Sequence, residues 1–174
     1  MDVRDFAIHS LDEVQEVLTR SVDSLTQEEL TSQPQPGANN IAFMLWHMAR
    51  VEDWFLHYLF QRVPQLWESG RWHEIMGLPE NPKVTGFGYT AEQVASFPSV
   101  QVRNLMAYIE AVRADTLEYL RNVDTARIDE EVTSRFFDEA SIGSLISHLV
   151  VELAQHVGQI AYVRGLLRGP SSQF

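Results

Sequence analysis

Glu152 and His156 are the residues whose types and spacing point most clearly to chemistry. They occur within ISHLVVELAQHVGQI, residues 146–160, which is predicted to belong to a long amphipathic helix. At about 100° per residue, side chains four positions apart point about 40° apart and lie one turn apart along the axis. Both residues therefore share a stripe with Leu149 and Ile160, where the carboxylate meets the imidazole. An ionised glutamate is unstable when it is buried alone, so Glu152 needs a partner.

The predicted second helix, residues 41–60, contributes another imidazole, because His47 falls among the apolar residues of its inward face. A divalent metal ion could be the partner of all three side chains. Two imidazoles and a carboxylate are a common ligand set for catalytic zinc, and the same set suits non-haem iron, manganese or nickel. Helix bundles typically build metal sites from inward side chains on facing helices. His148 lies one turn before Glu152, at the edge of the stripe.

The same residues also permit an interpretation without a metal. A single inward histidine is usually a hydrogen-bonded core residue, and this would account for His47. Glu152 and His156 could satisfy each other as an ion pair at i, i+4 spacing. Spacing alone therefore leaves a metal site and a metal-free bundle as alternatives.

The periodicity predicts four long helices to position these residues. The first covers about residues 3–24, the second follows the N-cap Asn40, the third follows Pro98, and the last runs from near Ser141 to the LLRGP stop. Short and medium linkers between such helices favour an all-α, antiparallel four-helix bundle. A length of 174 residues is most simply one domain, residues 1–174.

A long loop, residues 63–89, follows the second helix and is rich in proline, glycine and aromatic residues. Loops of this length are more often functional than idle, so we predict that it shapes a pocket together with Trp54 and Tyr58. The alternative is that its aromatic residues cover one end of the bundle. His57 is predicted to be solvated or at a helix end, and DEEVTSRFFDEA, residues 129–140, to be a solvated loop.

Composition narrows the possible partners and the location. A net charge of -11 argues against a phosphate-binding surface, so nucleic acid and anionic membranes are unsuitable partners. No stretch approaches the roughly 20 apolar residues of a membrane span, and the acidic N-terminus does not resemble a secretory signal. We therefore expect a cytoplasmic protein. Cysteine is absent, so any thiol chemistry needs a thiol from outside the chain.

Three segments, NNIAFMLWHMARVEDWFL, YTAEQVASF and SIGSLISHLVVELAQHVGQIAYVRGLL, resemble the DinB-like superfamily of metalloenzymes in order and spacing over nearly the whole chain. The most specific elements are W-H in the second helix and H-x-G-Q-I in the last. The resemblance implies a four-helix bundle whose divalent metal is held by His47, Glu152 and His156. The family commonly has histidine at the position of Glu152, so the departure bears on metal affinity and identity. His148 is a possible substitute ligand, less well placed because it lies two turns from His156.

Characterised relatives include transferases and isomerases that use low-molecular-weight thiols such as bacillithiol or mycothiol. The resemblance therefore implies a metal-dependent enzyme that activates a thiol or water for attack on a small electrophile, with zinc, nickel, iron or manganese as the metal. The alternative is a metal-binding or stress-response protein with this fold and no turnover. We also predict a homodimer, because family members tend to be dimers and because Trp46, Leu56 and Leu59 lie off the inward stripe of the second helix.

Overall fold

The computed structural model describes residues 2–134 and 136–169, and it is mostly helical, which confirms the all-α prediction. A π-helix, Trp54–Gln61, continues α3 directly, and the strands β1 (Glu131–Val132) and β2 (Ala140–Ser141) pair antiparallel. The α-helices are α1 (Val3–Val22), α2 (Gln27–Thr31), α3 (Ile41–Asp53), α4 (Leu66–Ser69), α5 (Trp72–Met76), α6 (Ala91–Ala95), α7 (Val102–Asn122), α8 (Thr125–Ile128) and α9 (Ile142–Arg168).

The long helices begin at side chains that cap them. Asp2 forms a capping box with Asp5 at α1, Asn40 accepts a hydrogen bond from the backbone N–H of Phe43 at α3, and Ser141 caps α9. Helix α1 packs against α7 and α9, and α3 packs against the same two helices. No helix within residues 2–134 or 136–169 has both the length and the apolar character of a membrane span.

Helix α3 is covered on nearly every side. Its residues from Ile41 to Asp53 are all buried except Val51, because α2 and α4 pack against it in addition to α7 and α9. Trp46 on this helix, and Leu56 and Leu59 on the π-helix that continues it, are at most 2% exposed. The prediction that these three residues form a dimer surface was wrong, since they belong to the core of the chain itself.

Two buried charges of α3 fix the segment that follows the π-helix. The Arg50 guanidinium donates to the backbone oxygens of Pro82 at 2.9 Å and Val84 at 3.3 Å. The Asp53 carboxylate accepts from the backbone N–H groups of Leu66 at 2.9 Å and Trp67 at 2.8 Å. The predicted long loop contains two short helices, α4 and α5. The hydrogen bonds of Arg50 and Asp53 tie this segment to α3 at both ends.

His57 is buried, and its prediction as a solvated residue was wrong. Its Nδ1 lies 2.6 Å from the Asp53 carboxylate, and its Nε2 lies 3.3 Å from the carboxylate of Asp115 on α7. Burial lowers the pKa of His57, but the hydrogen bonds and negative charges of Asp53 and Asp115 together outweigh burial and raise that pKa. The two carboxylates therefore favour the charged form of this buried imidazole.

A second buried ion pair joins α3 to α7. The Arg113 guanidinium donates to both carboxylate oxygens of Glu52, at 2.8 and 2.9 Å, and to the backbone oxygen of Leu11 at 2.7 Å. Three helices are thus fixed by one side chain, and this sets the position of α3 in the core.

Candidate metal centre

His47 of α3 meets Glu152 and His156 of α9 where these two helices pack together. The Glu152 carboxylate oxygen lies 3.4 Å from His47 Nε2 and 3.1 Å from His156 Nε2. Each residue offers one ligand atom, and these atoms all lie within 4.8 Å of one another. Atoms bound about 2.1 Å from one ion are about 3.0 to 3.4 Å apart, so the two measured separations fit a shared cation.

Each histidine is oriented by a hydrogen bond on its other nitrogen. His47 Nδ1 lies 2.6 Å from the backbone oxygen of Thr85, which can only accept, so Nδ1 carries the proton. His156 Nδ1 lies 2.9 Å from the side-chain oxygen of Gln159. Histidines that bind metals almost always donate their other N–H in this way. In the neutral state, both rings therefore turn the lone pair of Nε2 towards Glu152.

The Glu152 carboxylate is ionised. Hydrogen bonds that it would accept from a protonated Nε2 of His156, and then of His47, hold its pKa far below the ordinary value, although partial burial acts in the opposite direction. Two imidazole lone pairs and a carboxylate are all electron-pair donors, so they can approach one another only around a proton or a metal ion. The donor set therefore fits a divalent cation that prefers mixed nitrogen and oxygen ligands.

Helical spacing explains how the sequence forms this cluster. Glu152 and His156 are one turn apart on α9, between the buried residues Leu149, Leu153 and Ile160. His47 projects from α3, and its ring lies almost perpendicular to that of His156, with the centroids 4.9 Å apart. The structure thus brings together the three residues that the sequence singled out.

A cavity of about 310 Å³ opens directly beside the cluster and shares His47 and Glu152 with it. The prediction that Trp54 and the segment after the π-helix shape a pocket is confirmed. Tyr58 was predicted wrongly, since it is 48% exposed and stacks on Trp54 without lining the cavity. The remaining lining residues are mostly apolar: Val51, Trp54, Phe55, Thr85, Phe87, Phe136, Phe137 and His148.

His148 lies in the cavity wall, apart from the three clustered ligand atoms. Its ring stacks on Phe55 at a centroid distance of 5.9 Å and meets Phe137 edge-on at 5.4 Å. These contacts direct the imidazole into an aromatic environment, which separates it from the position of a metal ligand.

The charged segment 129–140 is more than a solvated loop, contrary to its prediction. The pairing of β1 with β2 folds it back on α9, and this places Phe136 and Phe137 in the cavity wall. Phe136 contacts Trp54, with centroids 5.6 Å apart, and Phe87 at 5.4 Å. The signal that sequence reasoning missed is the pair of adjacent phenylalanines within an otherwise polar segment.

Comparisons with known proteins bear on the family and the fold of nearly the whole chain. A family model described as "DinB superfamily" matches residues 10–160. The fold is similar to that of a crystal structure of a conserved protein from Enterococcus faecalis, with a TM-score of 0.86 and 22% identity. That similarity covers 98% of this chain and 99% of the other, and at this identity it bears on the fold alone. No curated protein matches the chain.

Proposed function

The chain belongs to the DinB superfamily, and on this premise we propose that it is a metal-dependent enzyme whose cation is held by His47, Glu152 and His156. The observation that carries the proposal is the convergence of two oriented imidazoles on one ionised carboxylate. The proposal includes the antiparallel four-helix bundle of the family, formed by α1, α3 with its π-helix, α7 and α9. It also includes a cytoplasmic location.

The reaction that suits this site is attack by a thiol or water on a small electrophile. A divalent ion, when bound, would supply Lewis acidity and so lower the pKa of a thiol or water beside it. The residues supply the rest: Thr85 and Gln159 fix the imidazoles, and Glu152 brings one negative charge. The cavity is lined mostly by apolar side chains, so a substrate bound in it would displace water from the reacting groups. Because the chain contains no cysteine, a low-molecular-weight thiol would enter as a cosubstrate.

A metal-binding or stress-response protein without turnover is the alternative. One observation favours it: among the described cavity-lining residues, His148 is the only titratable side chain outside the cluster. A reaction that needs a separate acid or base would therefore depend on His148 or on the substrates. Activity in the metal-loaded protein separates the two functions, because both of them predict metal binding.

The proposed metal is tested by elemental analysis of protein purified without a histidine tag. We expect about one zinc, nickel, iron or manganese ion per chain, and less than a tenth of that after His47→Ala or His156→Ala. His9→Ala is the matched control, because His9 is exposed on α1, and His148→Ala should also retain the metal. Equal occupancy in all four variants would contradict the assignment.

We also propose a homodimer, now with the outer face of α9 as the interface. Val151, Tyr162 and Leu166 are more than half exposed on this helix, and a Cβ added to Gly158 would meet no neighbouring atom. Symmetric dimers commonly bury such a self-complementary patch. A solution mass that equals one chain at every concentration would rule this interface out.

A further inference from the structure

The cavity beside the cluster has aromatic walls that come from separate parts of the chain. Trp54 and Phe55 belong to the π-helix, Phe87 follows α5, and Phe136 and Phe137 lie between β1 and β2. Aromatic rings prefer offset-stacked and edge-to-face contacts, which flat ring systems provide. The walls therefore favour a ligand whose body is itself aromatic.

Two of these rings stand at the mouth of the cavity without full cover. Phe87 is 73% exposed and Phe136 is 43% exposed, and their rings meet edge-on at 5.4 Å. Exposed apolar groups that surround a concave site are typical of ligand-binding surfaces. A ligand that fills the cavity would remove part of both rings from water.

The charged side chains that line the cavity disfavour a ligand whose aromatic part carries a charge. Among the described lining residues, Glu152 is the one carboxylate, and lysine and arginine do not occur. An anionic group in the aromatic part would lose its hydration without gaining a cation. A cationic group would gain attraction from the aromatic faces, but a divalent ion held by one carboxylate leaves a net positive charge beside the cavity, which would repel that group.

The volume limits the size of the ligand. At about 310 Å³ the cavity lies at the lower end of the range of about 300 to 1,000 Å³ that is usual for ligand sites. It is about twice as large as a cavity of roughly 150 Å³ that accommodates benzene. Two or three rings, or one ring with a short chain, would fill it.

We infer that the site takes an uncharged, predominantly aromatic substrate of two to three rings, with its reacting group towards His47 and Glu152 and its rings between Trp54, Phe55 and Phe87. This inference rests on the proposed function for the identity of the reacting end. Binding of an uncharged aromatic ligand in the cavity can itself be tested without metal.

The test uses a pair of fluorescent probes with the same rings. N-phenyl-1-naphthylamine is neutral, and 8-anilinonaphthalene-1-sulfonate carries an additional sulfonate. In zinc-loaded protein and again with a chelator, we expect one site per chain that binds the neutral probe about tenfold or more tightly than the sulfonate. In the zinc-loaded protein, a naphthylmethyl-trimethylammonium ion should compete at least about tenfold more weakly than neutral naphthalene derivatives.

Variants of Phe87 locate the binding site. Phe87→Ala should weaken binding of the neutral probe severalfold, and Phe87→Lys should also move the preference towards the sulfonate. Phe6→Ala and Phe6→Lys are the matched controls, because Phe6 is 61% exposed on α1 and does not line the cavity. Neither control should change the affinity of either probe.

The inference is overturned if the sulfonate or the ammonium ion binds as tightly as the neutral probe, or if the Phe87 variants leave binding unchanged. Tight sulfonate binding that disappears in Arg135→Gln would overturn it as well, since this cation lies next to Phe136 in the sequence. Probe binding without metal binding would refute the proposed function alone. Metal binding without probe binding would refute only the inference that the cavity binds an aromatic ligand.

Discussion

Replacing Glu152 by glutamine should greatly reduce the stabilisation that the protein gains from a divalent metal. The substitution keeps the length of the side chain and one oxygen, but it removes the negative charge between His47 and His156. Changes in groups that merely support ligands weaken metal binding about 10- to 100-fold, so loss of this charge should cost about 100-fold or more.

The magnitude can be worked out for a thermal experiment. Free metal at about 1,000 times Kd stabilises a folded protein by about 4.1 kcal/mol, and at about 10 times Kd by about 1.4 kcal/mol. Unfolding a chain of 174 residues has an entropy of about 0.37 kcal/mol per kelvin. The metal should therefore raise Tm by about 11 °C in the unmodified protein and by about 4 °C in Glu152→Gln.

Scanning calorimetry with and without a chelator measures these shifts. The comparison uses the shift that metal causes in each variant, because the substitution also changes the stability of the metal-free protein. Glu110→Gln is the matched control, since Glu110 is exposed on α7 and should retain the full shift. If Glu152→Gln keeps the full shift while His156→Ala abolishes it, the carboxylate is not a ligand. If neither substitution changes the shift, the cluster is not the metal site.

Four further outcomes are expected. Glu152→His should keep the metal and move the pH optimum of any activity downwards, because the site becomes less negative and lowers the pKa of a thiol or water held there; a pH–rate profile checks this. Arg113→Met should cost about 3 to 5 kcal/mol in urea unfolding, since Glu52 stays buried without a counter-charge, whereas Arg113→Met combined with Glu52→Leu should recover most of that loss. The raised pKa of His57 means that its stabilisation is complete below about pH 6.5 and is lost as the pH rises through the folded-state pKa. His57→Gln should therefore cost more free energy of unfolding at about pH 6 than at about pH 9, as urea titrations at both values would show. Tyr162→Glu should convert a dimer into monomers, which sedimentation equilibrium would detect.

The candidate site could be predicted because its pattern is local. Glu152 and His156 are four residues apart, and a helical wheel places them together without knowledge of any other helix. His47 required only the assumption that the apolar face of its helix turns inward. Thr85 and Gln159, which orient the two rings, were missed. Gln159 lies three residues after His156, so the same helical wheel could have placed it beside that ring. Thr85 lies 38 residues from His47 along the chain, and a helical wheel cannot place it.

Predictions failed where burial depends on elements that are remote in sequence. A wheel assumes one buried face, but α3 is covered on its other side as well, and this removed Trp46 from the surface. His57 was taken as solvated because it lies ten residues after His47 and so on a different face of the helix; its partners are Asp53, four residues earlier, and Asp115, 58 residues away on α7. Phe136 and Phe137 lie in a segment whose position is set by two-residue strands, too short to show any alternation in the sequence.

A charged residue of α3, Arg50, connects one of these missed features, Thr85, with the candidate metal centre. Arg50 lies one turn after His47 on the same helix, and its guanidinium holds the backbone oxygen of Val84. The next residue along the chain, Thr85, provides the oxygen that fixes the His47 ring. Helix α3 therefore carries the proposed ligand His47 and also Arg50, the cation that anchors the segment whose Thr85 oxygen orients the His47 ring. The complete burial of Arg50 is thus explained by the segment that it positions, because a buried ion pair is weak support for stability alone.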